Sequence, residues 1–219
     1  MNAGWVRIVG SLGIATLLLA VGVAGGVFWQ SQRDDAGQRV TPSITDVGFA
    51  QDMSAHHDQA ILMSNSLPTD VGPEIRGLAA RMVAAQTAEV ATLRGWLTWF
   101  SEPVTADRPM AWMAGHASGH RGHADGSSAS DQPPMPGLAS TADLNRLAES
   151  RGHDAEIIFL QLMIRHHRGG MTMATAAFND PRASSATKQM ALTMLGEQGD
   201  EIGQMSLLLR ARDAAPLPA

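Results

Sequence analysis

Two stretches of this sequence follow one pattern. "MSAHHDQAILM" begins at Met53 and "MIRHHRGGMTM" at Met163, and both read M-x-x-H-H-x-x-x-x-x-M. The match runs without a gap from Phe49, Gln51, Met53, His56, His57 and Met63 to Phe159, Gln161, Met163, His166, His167 and Met173. Gln86 and Glu89 recur as Gln198 and Glu201 after a short shift. Such self-similarity marks a duplicated unit, here a helical hairpin. One hairpin with a single apolar stripe per helix has nothing to bury that stripe against, whereas two hairpins together bury it as a four-helix bundle.

The stripes follow helical spacing. Phe49, Met53, His56, Ala60, Met63 and Leu67 recur at alternating steps of four and three, one face of a helix. Ser43 with Asp46 forms an N-terminal cap pair, Pro68 stops the helix, and Pro73 suits the first turn of the next. That second helix carries Ile75, Leu78, Met82, Gln86, Glu89, Leu93 and Trp96. A third start signal lies at Ser140, with a break at Gly152. A long helix then carries Phe159, Met163, His166, Gly170, Met173 and Ala177, and the last carries Met190, Met194, Gln198, Glu201, Met205 and Leu208. The expected organisation is all-α. Residues 1–40 form a cytoplasmic tip, transmembrane anchor and juxtamembrane stretch, 41–100 a first hairpin and 101–140 a flexible Gly/Pro/His connection. Residues 141–212 form the second hairpin and 213–219 a frayed tail.

The anchor is read from the N-terminus. No charge occurs from Ile8 to Gln32, and Val9–Trp29 as a helix is about long enough to cross a bilayer core of about 30 Å. Trp5 and Trp29 mark its ends and Arg7 precedes it, which orients the bundle to the extracytoplasmic side. Its length favours an uncleaved signal anchor; cleavage near the small residues Ala24–Gly26 would instead give a secreted protein. A net charge of −5 without a basic block argues against a nucleic-acid partner. The chain has no cysteine but 13 methionines and eight histidines, so a soft-metal site must use thioether and imidazole in place of thiolate.

On a helix Met53 neighbours both His56 and His57. Adjacent residues project about 100° apart, so one histidine of each pair faces the bundle centre. His56 and His166 are assigned inward, with His57 and His167 turned toward the next helix. There Glu89 and Glu201 need a partner, and a histidine is the available one. Imidazole with thioether favours copper, especially Cu(I); imidazole with carboxylate suits zinc, Cu(II) or iron. The paired Glu-x-x-His motifs of a di-iron bundle are missing. The bland alternative is that the methionines fill the core and the His–Glu pairs only fix helix register. Met110, Met113, His116, His120 and His123 form a second, weaker metal-binding tract in the connection.

The phrases "FAQDMSAHHDQAILM", "AARMVAAQTAEVATLRGWL", "FLQLMIRHHRGGMTMA" and "GEQGDEIGQM" resemble the family known as domain of unknown function 305, from Val47 to Leu209. The resemblance implies a ferritin-like helical bundle, secreted or membrane-anchored. It also implies kinship with periplasmic copper binders that use Met and His ligands. Carried over, the ligands are Met53, His56, His57, Met63, Met163, His166, His167 and Met173. The sequence departs from the family pattern at Leu93, where Met is common, and at Arg168 with Gly169 and Gly170, where acidic and small residues are usual. The expected function is copper binding or buffering at a membrane, with zinc or iron ranking behind. The alternatives are a metal-free structural or partner-binding module and a metal-dependent oxidoreductase. No nucleophile–base pair, phosphate loop or cofactor fingerprint appears, so no enzymatic activity is expected.

Overall fold

The computed structural model describes Gly26, residues 41–114 and residues 134–217. The chain divides into two units, Met1–Thr41 and Pro42–Ala219. The segment Val9–Trp29 belongs to the first and, Gly26 apart, lies outside the described residues. Among the described residues no helix is long and apolar enough to cross a membrane.

The described part of the second unit is all-helical, without a strand. Three of its helices begin at a serine cap. Helix α1, Ile44–Asn65, starts at a capping box in which Ser43 Oγ accepts the Asp46 N–H at 3.1 Å and Asp46 accepts the Ser43 N–H at 2.8 Å. Helix α2, Pro73–Trp99, opens on proline, whose missing N–H costs nothing in a first turn. A 3₁₀ turn follows at Ala111–Met113. Helix α3, Thr141–Glu149, has the same Ser–Asp box at Ser140 and Asp143. Gly152, at φ +47°, turns the chain into α4, Gly152–Asn179. Helix α5, Ser185–Arg210, is capped by Ser184.

Helices α1 and α2 pack as one hairpin and α4 and α5 as another, and α1 meets α4 between them. The core falls into two apolar clusters. One holds Met63, Met82, Phe159, Met163 and Met205; the other holds Phe49, Met53, Leu93, Met173 and Met194. Both histidine pairs lie between the two clusters along α1 and α4. Asp46 also accepts the Ser184 N–H at 2.8 Å, which ties the starts of α1 and α5 together. At the other end Glu156 accepts the Gly72 N–H and a bond from Arg212, both at 2.6 Å, joining α4 to α2 and α5.

Four details differ from the sequence reading. The α2 stripe closes on buried Leu97 rather than Trp96, and in α5 Thr187 and Ala191 are buried in place of the expected Met190. The connection 101–140, read as exposed, is mostly exposed over residues 101–114 but buries single residues in the core. Trp112, only 3% exposed, packs edge-on to Phe49 and donates Nε1–H to the buried Asp52 at 2.8 Å. Gly48 makes that seat possible, since a Cβ there would lie 2.5 Å from the Trp112 ring. Met135 is buried in the same cluster. The expected frayed tail also packs: Ala214 and Leu217 lie against the other cluster, and Gln161 donates to the Ala215 carbonyl at 2.7 Å.

Candidate metal centre

Where α1 meets α4, His56 and His166 stack with ring centroids 3.8 Å apart and planes tilted by 34°. One position further along each helix, His57 and His167 point to the second helix of their own hairpin. His57 Nε2 lies 2.7 Å from Glu89 Oε2, and His167 Nε2 lies 2.5 Å from Glu201 Oε2. The inward and outward assignments of the four histidines are those expected from sequence, and so is the pairing with the two glutamates.

All four imidazoles are buried, and each has Nε2 against an oxygen that accepts. His56 Nε2 is 3.0 Å from the Pro136 carbonyl, and His166 Nε2 is 2.9 Å from the His56 carbonyl. A carbonyl or carboxylate oxygen has no proton to give, so Nε2 carries the proton in every case. In the neutral ring Nδ1 is then a bare lone pair. For His56, His57 and His167 that Nδ1 is buried without a hydrogen-bond partner among the described residues. Burial, then the neighbouring imidazole of His57, pushes the His56 pKa down to about 3. Burial and the rings of His56, His167 and His57 also hold His166 well below the ordinary histidine value. The stacked pair is therefore neutral at physiological pH, the form that binds metals.

Met53, Met63, Met163 and Met173 are fully buried. They assort across the halves: Met53 shares a cluster with Met173, and Met63 with Met163. Each histidine pair thus has thioethers of both hairpins above and below it. Among the described residues no group of three or more His, Asp or Glu is placed to hold a metal ion. A site here must therefore draw on the thioethers. The donor set passes a chemical test of fit for a soft ion: unpartnered imidazole lone pairs, buried sulfur, and carboxylates on the far ring nitrogen to fix the tautomer.

On the α2–α5 side an opening of about 240 Å³ is lined by Gln86, Glu89, Glu197, Gln198, Asp200 and Glu201. Burial, then the Glu89 carboxylate beside it, raises the Glu197 pKa. Sequence reasoning missed Glu197, though its position four residues before Glu201 on the same helix was the available signal. It also missed Pro136 and Gln59, which reach the site from the connection and from α1. In the weaker tract, Met110 and Met113 pack against the core, while His116, His120 and His123 lie outside the described residues.

Fold and site together define an all-α bundle with a buried imidazole–thioether layer. The chain belongs to the family described as domain of unknown function (DUF305), whose model matches residues 46–209. It is similar to a putative secreted DUF305 protein from Streptomyces coelicolor, with 33% identity, a TM-score of 0.68, and coverage of 80% of this chain and 98% of that one. A DUF305 fragment from Deinococcus radiodurans shares the fold, with 24% identity, a TM-score of 0.62, and coverage of 78% and 98%. CopM in its Cu(II)-bound form is 25% identical, with a TM-score of 0.55 and coverage of 76% and 96%. No curated protein matches the chain.

Proposed function

We propose that this chain binds and buffers copper, chiefly Cu(I), on the extracytoplasmic side of a membrane to which residues 9–29 anchor it. We further propose that its two hairpins are copies of one unit and that it is not an enzyme. The ligands on this reading are drawn from Met53, Met63, Met163 and Met173 with His56, His57, His166 and His167, and Glu89 and Glu201 orient the outer imidazoles. The observation that carries the reading is the set of buried Nδ1 atoms on His56, His57 and His167 that have no partner among the described residues. A buried polar atom without a partner is costly, and a metal ion relieves it. The likeness to CopM in its Cu(II)-bound form supports the choice of metal.

A second reading, a metal-free network that fixes helix register, draws on the lack of three converging His, Asp or Glu groups among the described residues. Competition with a chromogenic Cu(I) chelator separates the two. The full chain should withhold Cu(I) from the chelator. A variant with Met53, Met63, Met163 and Met173 changed to Leu should fold, since volume is nearly kept, and lose that affinity. If the variant holds Cu(I) as tightly as the parent, the methionines are packing residues only.

A further inference from the structure

The segment Met135–Ala139 crosses the stacked histidines and is held from both central helices. From α1, Gln59 grips the Ala139 backbone twice: its Oε1 accepts the N–H at 2.7 Å and its Nε2 donates to the carbonyl at 3.0 Å. From α4 the segment is pressed onto bare backbone. A Cβ on Gly169 would stand 2.0 Å from the Pro136 oxygen, and one on Gly137, at φ +76°, would stand 2.4 Å from the Arg165 carbonyl. Only glycine fits either place. Arg165 then ties α4 to Asp143 at 2.6 Å, in the cap that follows the segment. Met135, buried in the core, fixes the leading end.

The group so immobilised is the Pro136 carbonyl, which accepts from His56 Nε2 at 3.0 Å. Among the described residues the His56 ring has no other hydrogen-bond partner, because its Nδ1 is buried and unpartnered. His166 differs, since its Nε2 bonds to the His56 carbonyl within the helix pair. The repeat alone therefore does not orient His56; an element outside the repeat does.

We propose that Met135–Ala139 is a positioning strap: Gln59 and Gly169 hold the Pro136 carbonyl where it fixes His56 in the Nε2–H tautomer and presents Nδ1 as the ligand atom. The inference deepens the copper reading above and rests on it for the identity of the ligand, but the tautomer itself is a property of the metal-free protein.

The test is ¹⁵N NMR of the histidine rings in the metal-free full chain, with Gly169→Ala and Gln59→Leu as variants. Alanine is favoured over glycine in a helix, so Gly169→Ala removes the seat of the strap without weakening α4. In the parent, His56 should show a single Nε2–H tautomer with a slowly exchanging proton. In each variant it should show mixed tautomers and fast exchange, while His166 keeps its Nε2–H signal. Cu(I) affinity should fall about 10- to 100-fold, as for other groups that orient a metal-bound histidine. An unchanged His56 tautomer in both variants, with the Ala139 amide proton exposed to exchange, overturns the proposal. A shifted tautomer with unchanged Cu(I) affinity supports the strap and overturns the copper reading at His56.

Discussion

His57 and His167 each meet a glutamate of their own hairpin, at 2.7 and 2.5 Å, whereas His56 and His166 find unlike acceptors, a connection carbonyl and a helix carbonyl. The outer pair is symmetric because each partner lies on the second helix of the same hairpin. The inner pair is not, because two chains of atoms cannot both occupy the space over one stacked pair. The positions that differ between the two hairpins follow from this. Gln59 in the first half corresponds to Gly169 in the second, and the two residues grip the same strap, one by hydrogen bonds and one by making room. Ala60 corresponds to Gly170, where a Cβ would lie 2.5 Å from Gln198 Oε1. Positions common to both hairpins thus build the candidate site, and positions that differ adapt each hairpin to its neighbours.

The largest expected effect tests whether the two halves pack equally. Phe49 and Phe159 hold equivalent places and neither has any exposed surface. Phe49→Ala and Phe159→Ala should each lower stability by about 3–5 kcal/mol in urea titrations. A cost for one less than half that for the other would show that the halves carry unequal shares of the core.

Acid probes the inner pair next. The folded His56 pKa, about 3, lies below the unfolded value near 6.5. The unfolded chain therefore binds more protons in that interval, and stability falls as pH drops from about 6.5 toward 3. His56 alone should contribute roughly 2 kcal/mol of loss by pH 5, with His166 acting in the same direction. Urea titrations of the metal-free protein between about pH 6.5 and 5 read this before most carboxylates titrate. Constant stability across that window would show that the stacked rings are not held neutral by burial.

The smallest effect sharpens the difference at Gly170. Gly170→Ala adds a methyl group against the Gln198 side-chain amide, a flexible end that can shift. Overpacking of about 1–3 kcal/mol is offset by about 1 kcal/mol of helix propensity, so the net cost should stay near 1 kcal/mol. A stabilised variant would show that Gln198 is not confined there.

Much of this was legible before the fold was known. Helical spacing placed Met53, His56 and Met63 on one face, and the adjacency of the histidines sent His57 and His167 toward Glu89 and Glu201, because a helix fixes direction by residue number. The cap residues Ser43 and Ser140 marked the starts of α1 and α3 for the same local reason. What stayed hidden is non-local. Nothing in "PPMPG" says that its carbonyl will reach His56, and the composition of the connection, rich in Gly and Pro, reads as exposed although Trp112 and Met135 are core residues. The sorting of methionines across the halves, Met53 with Met173 and Met63 with Met163, follows from how α1 lies against α4, which sequence spacing does not encode.

Copper K-edge X-ray absorption on the full chain loaded with one equivalent of Cu(I) tests the central claim most directly. The account predicts a first shell of mixed sulfur and imidazole nitrogen, with the sulfur contribution lost when Met53, Met63, Met163 and Met173 are changed to Leu. A shell of nitrogen and oxygen alone in the parent protein would contradict it and leave the buried methionines as core packing.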